Sequence, residues 1–214
     1  MNFRTSALAL CAAALLPLGA AHAQQADSSS SSNDINNSQV NLNHVTAVLS
    51  TTVNNVGNNV DLISAAIGNN ATVQTDQWQV VNNAQTSAAG VASSVTANVT
   101  NAPGYLNVTS TAIGNIANID ASAAGGYVNS SQTSANVDPS AVLALNAANI
   151  GGDVTTTAVA LGNSLTTVGA GVVNSNQYNS APITAVLSST INNVGGAVSQ
   201  TASAIGNNVS IKTH

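Results

Sequence analysis

Short alternating runs recur along this chain. Ile67, Asn69, Ala71 and Val73 sit at every second position, as do Ile113, Asn115, Ala117 and Ile119. Ile205, Asn207, Val209 and Ile211 repeat the pattern, and Leu161, Asn163 and Leu165 follow it closely. Residues spaced by two share one face of a β-strand, so each set is predicted to line one face. The wealth of Val, Ile and Thr agrees with extended structure. Ala84–Ala97 is the most helix-like piece, but the density of Thr, Asn and Gly along the chain weighs against long helices.

The alternating runs belong to a larger repeat. An apolar-Gly-Asn element appears at Ile67-Gly68-Asn69, Ile113-Gly114-Asn115, Leu161-Gly162-Asn163 and Ile205-Gly206-Asn207, with spacings of 46, 48 and 44 residues. Upstream of each lies Ile35-Asn-Asn-Ser-Gln39, Val81-Asn-Asn-Ala-Gln85, Val128-Asn-Ser-Ser-Gln132 or Val173-Asn-Ser-Asn-Gln177. Those glutamines are 46, 47 and 45 residues apart. A third landmark is the glycine series Gly57, Gly104, Gly151 and Gly195; around its first and last members, Val45–Gly57 and Ile183–Gly195 are nearly the same text. Three landmarks in register across four blocks define a repeat, and a fixed period of this size points to stacked units.

The fold class this predicts is all-β, a repeat-built β-solenoid of four repeats over residues 35–214. Each repeat makes either one coil or two coils of roughly 23 residues, the latter giving eight stacked coils. A two-sheet sandwich of the same strands stays open as an arrangement. In a stack, equivalent amides come about 4.8 Å apart and hydrogen-bond into ladders. Gln39, Gln85, Gln132 and Gln177 are the expected ladder, with Asn69, Asn115, Asn163 and Asn207 either a second ladder or turn residues. Gly57, Gly104, Gly151 and Gly195, together with Gly68, Gly114, Gly162 and Gly206, are expected at the repeat turns.

Composition narrows the function. Residues 1–23 read as a secretory signal peptide: Arg4 supplies the positive start, Ser6 to Leu18 an apolar stretch too short to span a bilayer, and Ala21-His22-Ala23 the cleavage site. Residues 24–34, with Ser28 to Ser32 in a row, read as a flexible leader. Cys11, Met1, Phe3 and Arg4 would all leave with the signal. The remaining chain would hold seven aspartates against Lys212, one unit more negative than the formal −5 of the whole chain. Without a basic patch, nucleic acid has no electrostatic foothold. Loss of Cys11 also removes disulfides and thiolate metal sites.

Chemistry is equally sparse. The remaining histidines are His44 and the terminal His214, with no nucleophile partner at a suggestive spacing. The aspartates (Asp27, Asp34, Asp61, Asp76, Asp120, Asp138, Asp153) do not recur at equivalent repeat positions, so neither paired-carboxylate hydrolysis nor repeated ion sites are expected. No catalytic residue, cofactor or metal is therefore predicted. Trp78, Tyr105, Tyr127 and Tyr178 are too few for the aromatic girdles of an outer-membrane barrel. They fill the rim of a thin core, or, at Tyr127 and Tyr178, contribute to a sugar-stacking face.

The run Ile67-Gly68-Asn69-Asn70-Ala71-Thr72-Val73-Gln74 resembles the repeat core of curlins, secreted amyloid subunits of Gram-negative bacteria whose repeats are about half as long. The Thr/Ala/Val-rich text with Thr111-Ala-Ile-Gly-Asn115 also resembles holdfast-anchor proteins of stalked alphaproteobacteria, which fix an adhesive polysaccharide to the outer envelope. These resemblances imply export across both membranes to the extracellular or outer cell surface. The expected role is a secreted structural protein, fibre subunit or adhesion anchor acting by strand stacking. Its expected partners are further copies or related surface subunits, extracellular polysaccharide, and outer-membrane secretion or anchoring machinery. The alternative is a monomeric solenoid binding glycan or another surface ligand.

Overall fold

The computed structural model describes residues 34–75, 78–122, 126–135 and 138–213. The expected signal peptide, the leader up to residue 33, Asp76 and His214 lie outside the described residues.

Twelve strands form three all-parallel sheets of four, each repeat giving one strand to each sheet. Sheet A holds β1 (Asp34–Asn41), β4 (Gln79–Ser87), β7 (Gly126–Ser134) and β10 (Val172–Asn179). Sheet B holds β2 (Val45–Asn54), β5 (Val91–Ala102), β8 (Ser140–Ile150) and β11 (Thr184–Val194). Sheet C holds β3 (Val60–Gln74), β6 (Leu106–Asp120), β9 (Val154–Val168) and β12 (Val198–Lys212). The fold is thus a β-solenoid. Its register follows the repeat: Gln39 pairs with Gln85, Gln85 with Gln132 and Gln132 with Gln177.

The eight-coil arrangement does not occur; each repeat makes one coil, so four coils are stacked. Strand length explains this. The sheet C strands all have 15 residues, about 50 Å of extended chain. That length runs back past both shorter strands of the same coil. Ser64 Oγ donates to the Ala47 carbonyl of sheet B, while Gln39 of sheet A reaches the Asn70 carbonyl through Nε2. The coil is therefore flattened, with sheets A and B together facing sheet C, and the solenoid has the cross-section of a sandwich.

Two thin cores result. One lies between sheet B and the first half of sheet C, around Leu49, Leu62, Val95, Leu106, Leu143 and Val154. The other lies between sheet A and the second half of sheet C, around Val81, Ala117, Ile119, Val128 and Leu165. Small and β-branched residues suit both, because opposite backbones stand close.

The strand between the two cores changes pleat at its glycine. In β3 the core-facing row is Val60, Leu62, Ser64 and Ala66, and then Asn69 and Ala71. The expectation that Ile67 shares a face with Asn69 and Ala71 is thus corrected: Ile67 precedes the pleat change and points the other way. Gly68, Gly114, Gly162 and Gly206 accordingly lie inside strands, not at turns, and the sheet C pairing skips them. A Cβ on Gly114 would stand 2.6 Å from the Gly162 carbonyl oxygen and 3.2 Å from Ser134 Oγ. Close stacking, not a positive φ, is what requires glycine there.

Gly57, Gly104, Gly151 and Gly195 do lie between sheets B and C, but the left-handed conformation belongs to their neighbours. Asn55, Asn101, Asn149 and Asn193 have φ of 56, 55, 58 and 53°. Asparagine tolerates this region better than other non-glycine residues because its short side chain hydrogen-bonds locally.

Candidate functional site: amide ladders and open strand edges

Stacking places equivalent amides within hydrogen-bonding distance. Gln85 Nε2 donates to Gln39 Oε1 at 2.8 Å, Gln132 to Gln85 at 2.8 Å, and Gln177 to Gln132 at 2.7 Å. Each glutamine also donates to a sheet C carbonyl, as Gln132 does to Ser164 at 2.9 Å. A second ladder runs with the opposite polarity: Asn69 Nδ2 donates to Asn115, Asn115 to Asn163, and Asn163 to Asn207, at 2.7, 2.7 and 2.8 Å. The core between the sheets is narrow enough that these amides face it fully desolvated in the middle coils. Gln85, Gln132, Asn115 and Asn163 are all buried.

Two further ladders escaped the sequence reading. Asn82 donates to Asn36, Asn129 to Asn82, and Asn174 to Asn129 on the outer face of sheet A. The left-handed asparagines at the ends of the sheet B strands do the same, from Asn101 to Asn55, Asn149 to Asn101 and Asn193 to Asn149. The signal for the first was available, since each of its asparagines stands three residues before a ladder glutamine. The second is obscured by Pro103, which stands where the other repeats carry Gly57, Gly151 and Gly195 and so puts Gly104 one residue out of register with them.

The two ends of the stack differ. In the first three coils the core-facing row is closed: Val60 is 1% exposed, Leu106 and Val154 0%. At the fourth coil the equivalent Val198 is 47% exposed, and Val209 and Ile211, farther along β12, are 44% and 48% exposed. Among the described residues no coil precedes coil one, and its sheet C row is still closed from Val60 to Ala71. The row of each coil is therefore covered by the coil that follows, and the fourth lacks that cover. The end strands β1–β3 and β10–β12 contain no proline, and Lys212 is their single Lys or Arg. These are the residues natural edge strands use to discourage pairing.

Outer columns of sheet A enclose an open groove of about 810 Å³, lined by amides and hydroxyls including Asn82, Asn129, Asn174, Ser38 and Ser131. No charged residue lines it. Trp78 and Tyr127 meet edge to face beside it with ring centroids 5.6 Å apart.

Titratable groups are few and superficial. Tyr105 Oη donates to Asp61 Oδ2 at 3.0 Å, and that bond, with the carboxylate's charge, raises the phenol above 10.0. The Ser122 side chain and then its backbone N–H hold Asp120 below 3.8. The raised Tyr105 contributes stability below pH 10.0, lost as pH climbs through its folded value; the lowered Asp120 contributes above 3.8, lost as pH falls through its folded value. Urea unfolding from pH 8 to 12 should therefore show an alkaline loss that Asp61→Asn reduces. His44 lies against Gly90 in the turn between β1 and β2, at a distance from any carboxylate cluster. Among the described residues no group of three His, Cys, Asp or Glu comes together, and none of them forms a helix long and apolar enough to cross a membrane.

Periodic amide ladders, thin aliphatic cores and unprotected strand edges define a structural repeat protein, one whose recurring side chains hold coil to coil. Residues 78–214 match the holdfast attachment protein D family, and the chain belongs to that family. This is a family of cell-surface adhesion proteins. The matched stretch holds the second, third and fourth coils; the first shares their register. Comparison with the curated proteins finds no match, and comparison with the solved structures finds none. The curlin resemblance draws no support from these comparisons, and a coil of 46 residues is twice the length of a curlin repeat.

Proposed function

We propose that the chain is an exported structural subunit of the anchor that holds an adhesive holdfast at the outer cell surface, and that it acts by stacking its open strand edges against another subunit. The observation that carries this reading is the uncovered fourth coil. Val198 and Val209 occupy positions that all three preceding coils bury, and Ile211 one that the two middle coils bury; exposed apolar rows of this kind mark association surfaces. Family membership supplies the setting. Export would use the signal peptide expected over residues 1–23, and the neighbours would be further copies, related surface subunits or envelope anchoring machinery.

The test is made in cells. Loss of the chain should release the holdfast while its adhesive polysaccharide is still produced. Val209→Lys places a charge on the open end without touching a buried site, and should give the same shedding at normal surface levels of the protein. Firm attachment by Val209→Lys cells would contradict the reading.

A second reading, glycan binding on the outer face, draws on the uncharged amide and hydroxyl groove of sheet A and its flanking Trp78 and Tyr127. Neutral polar groups beside exposed aromatic rings suit uncharged sugars. Tyr127→Ala should weaken retention of the purified chain on an immobilised neutral polysaccharide; unchanged or absent retention removes this reading and leaves the first intact.

A further inference from the structure

Which end meets which is written in the polarity of the ladders. At the fourth coil Asn174 Oδ1, Asn193 Oδ1 and the buried Gln177 Oε1 accept no hydrogen bond from the described residues. Asn207 Nδ2, whose equivalents each donate to the next coil, has only a 3.4 Å contact to the Gln177 carbonyl. At the first coil every role is reversed. Asn36 Nδ2 and Asn55 Nδ2 donate to nothing among the described residues, Gln39 Nε2 donates once where the later glutamines donate twice, and Asn69 Oδ1 accepts nothing.

We propose that a second copy of this chain docks its first coil on the fourth coil of the copy before it, head to tail and in strand register, continuing all four amide ladders across the junction. This rests on the stacking reading above and adds its direction and register. Three ladders meet acceptor to donor and the fourth donor to acceptor, so every ladder is satisfied at once. Turning one copy over for a two-fold contact sets acceptors against acceptors at one end and donors against donors at the other. A ladder of either polarity ends in a donor on one face and an acceptor on the other, so only unlike ends complement each other. Such heterologous contacts do not close, and they generate a filament. Each copy adds four strands to every sheet, a rise of about 19 Å at the usual strand spacing.

The glycine column supplies a test by one methyl group. A Cβ on Gly162 would stand 2.5 Å from the Gly206 carbonyl, whereas one on Gly206 meets only Asn179 Nδ2 at 3.8 Å. In the stacked copies Gly206 faces Gly68 of the next, and an added methyl collides with that carbonyl. Gly206→Ala should fold like wild type by circular dichroism and urea unfolding. It should also raise the concentration needed for assembly by about tenfold or more, the equivalent of about 1.4 kcal/mol.

Direction is read by crosslinking, in full-length chains with Cys11→Ser. Asn36→Cys and Asn174→Cys stand on the exposed ladder at opposite ends, and neighbouring strands bring their backbones within disulfide reach. Mixed under mild oxidation, the two variants should give the 36–174 product, and neither alone should crosslink. A 36–36 or 174–174 dimer would overturn the head-to-tail assignment. Oligomers that form without the mixed crosslink, or that Gly206→Ala leaves unaffected, would overturn the register. No oligomer of the wild-type chain at any concentration would remove the stacking reading itself.

Discussion

Gly114→Val is expected to prevent the chain from reaching its folded state. The first added carbon stands 2.6 Å from the Gly162 carbonyl oxygen. That oxygen belongs to a backbone fixed in sheet C by pairing on both sides of the glycine. It cannot swing away as a side-chain tip could. Overpacking by a few carbons in a flexible core costs about 1–3 kcal/mol; against an immobile backbone the cost exceeds that range and approaches the roughly 5–15 kcal/mol that holds a domain folded. Circular dichroism with urea titration checks it, with Gly171→Ala as the control. A Cβ at Gly171 meets the Gly126 carbonyl at an ordinary 3.6 Å, so that variant should stay within about 0.5 kcal/mol of wild type. A cooperative, wild-type-like unfolding curve for Gly114→Val would show that the glycine column is not tightly stacked.

The second large effect is expected at Gln132. Leucine nearly matches its volume, so Gln132→Leu removes hydrogen bonds without opening a void. Gln132 donates to Gln85 Oε1 and to the Ser164 carbonyl, and accepts from Gln177. The substitution leaves two partners, Gln85 Oε1 and the Ser164 carbonyl, behind in a dry interior, and a third, Gln177, at the partly exposed fourth coil. At about 1–3 kcal/mol for each unsatisfied buried group, the two buried partners alone come to roughly 2–6 kcal/mol. Gln39→Leu should cost about half as much or less, because Gln39 heads the ladder, makes fewer bonds and stands partly in solvent. Equal losses at the two positions, measured by urea unfolding, would contradict a ladder whose worth comes from burial.

Most of the fold was legible because the repeat constrains it. Stacking a parallel strand on its own equivalent demands that landmarks keep register, and Gln39, Gln85, Gln132 and Gln177 keep it within two residues. The number of coils was less legible, because residue spacing fixes the repeat and leaves the path within it open. Only the length of the sheet C strands shows that one coil consumes the whole repeat.

The Gly-Asn glycines serve stacking and not turns. Gly-Asn pairs commonly mark turns through a positive φ, yet Gly68 and its equivalents are extended and are small for the sake of the next coil's carbonyl. The same pleat change turned Ile67 away from Asn69, which strict alternation had placed beside it. Where the sheet B strands end it is asparagine that takes the left-handed conformation, so the ladder through Asn55 and Asn149 stands beside the Gly57 and Gly151 landmarks, not on them. The polarity of the ladders, and hence the difference between the two ends of the stack, depends on which amide nitrogen meets which oxygen.

Sedimentation velocity of the full chain, refolded from denaturant and followed over a wide range of concentration, reads head-to-tail stacking of the copies. The mass should rise with concentration through an open series of oligomers, with β-rich circular dichroism throughout. A single folded species of monomer mass at every concentration would contradict it.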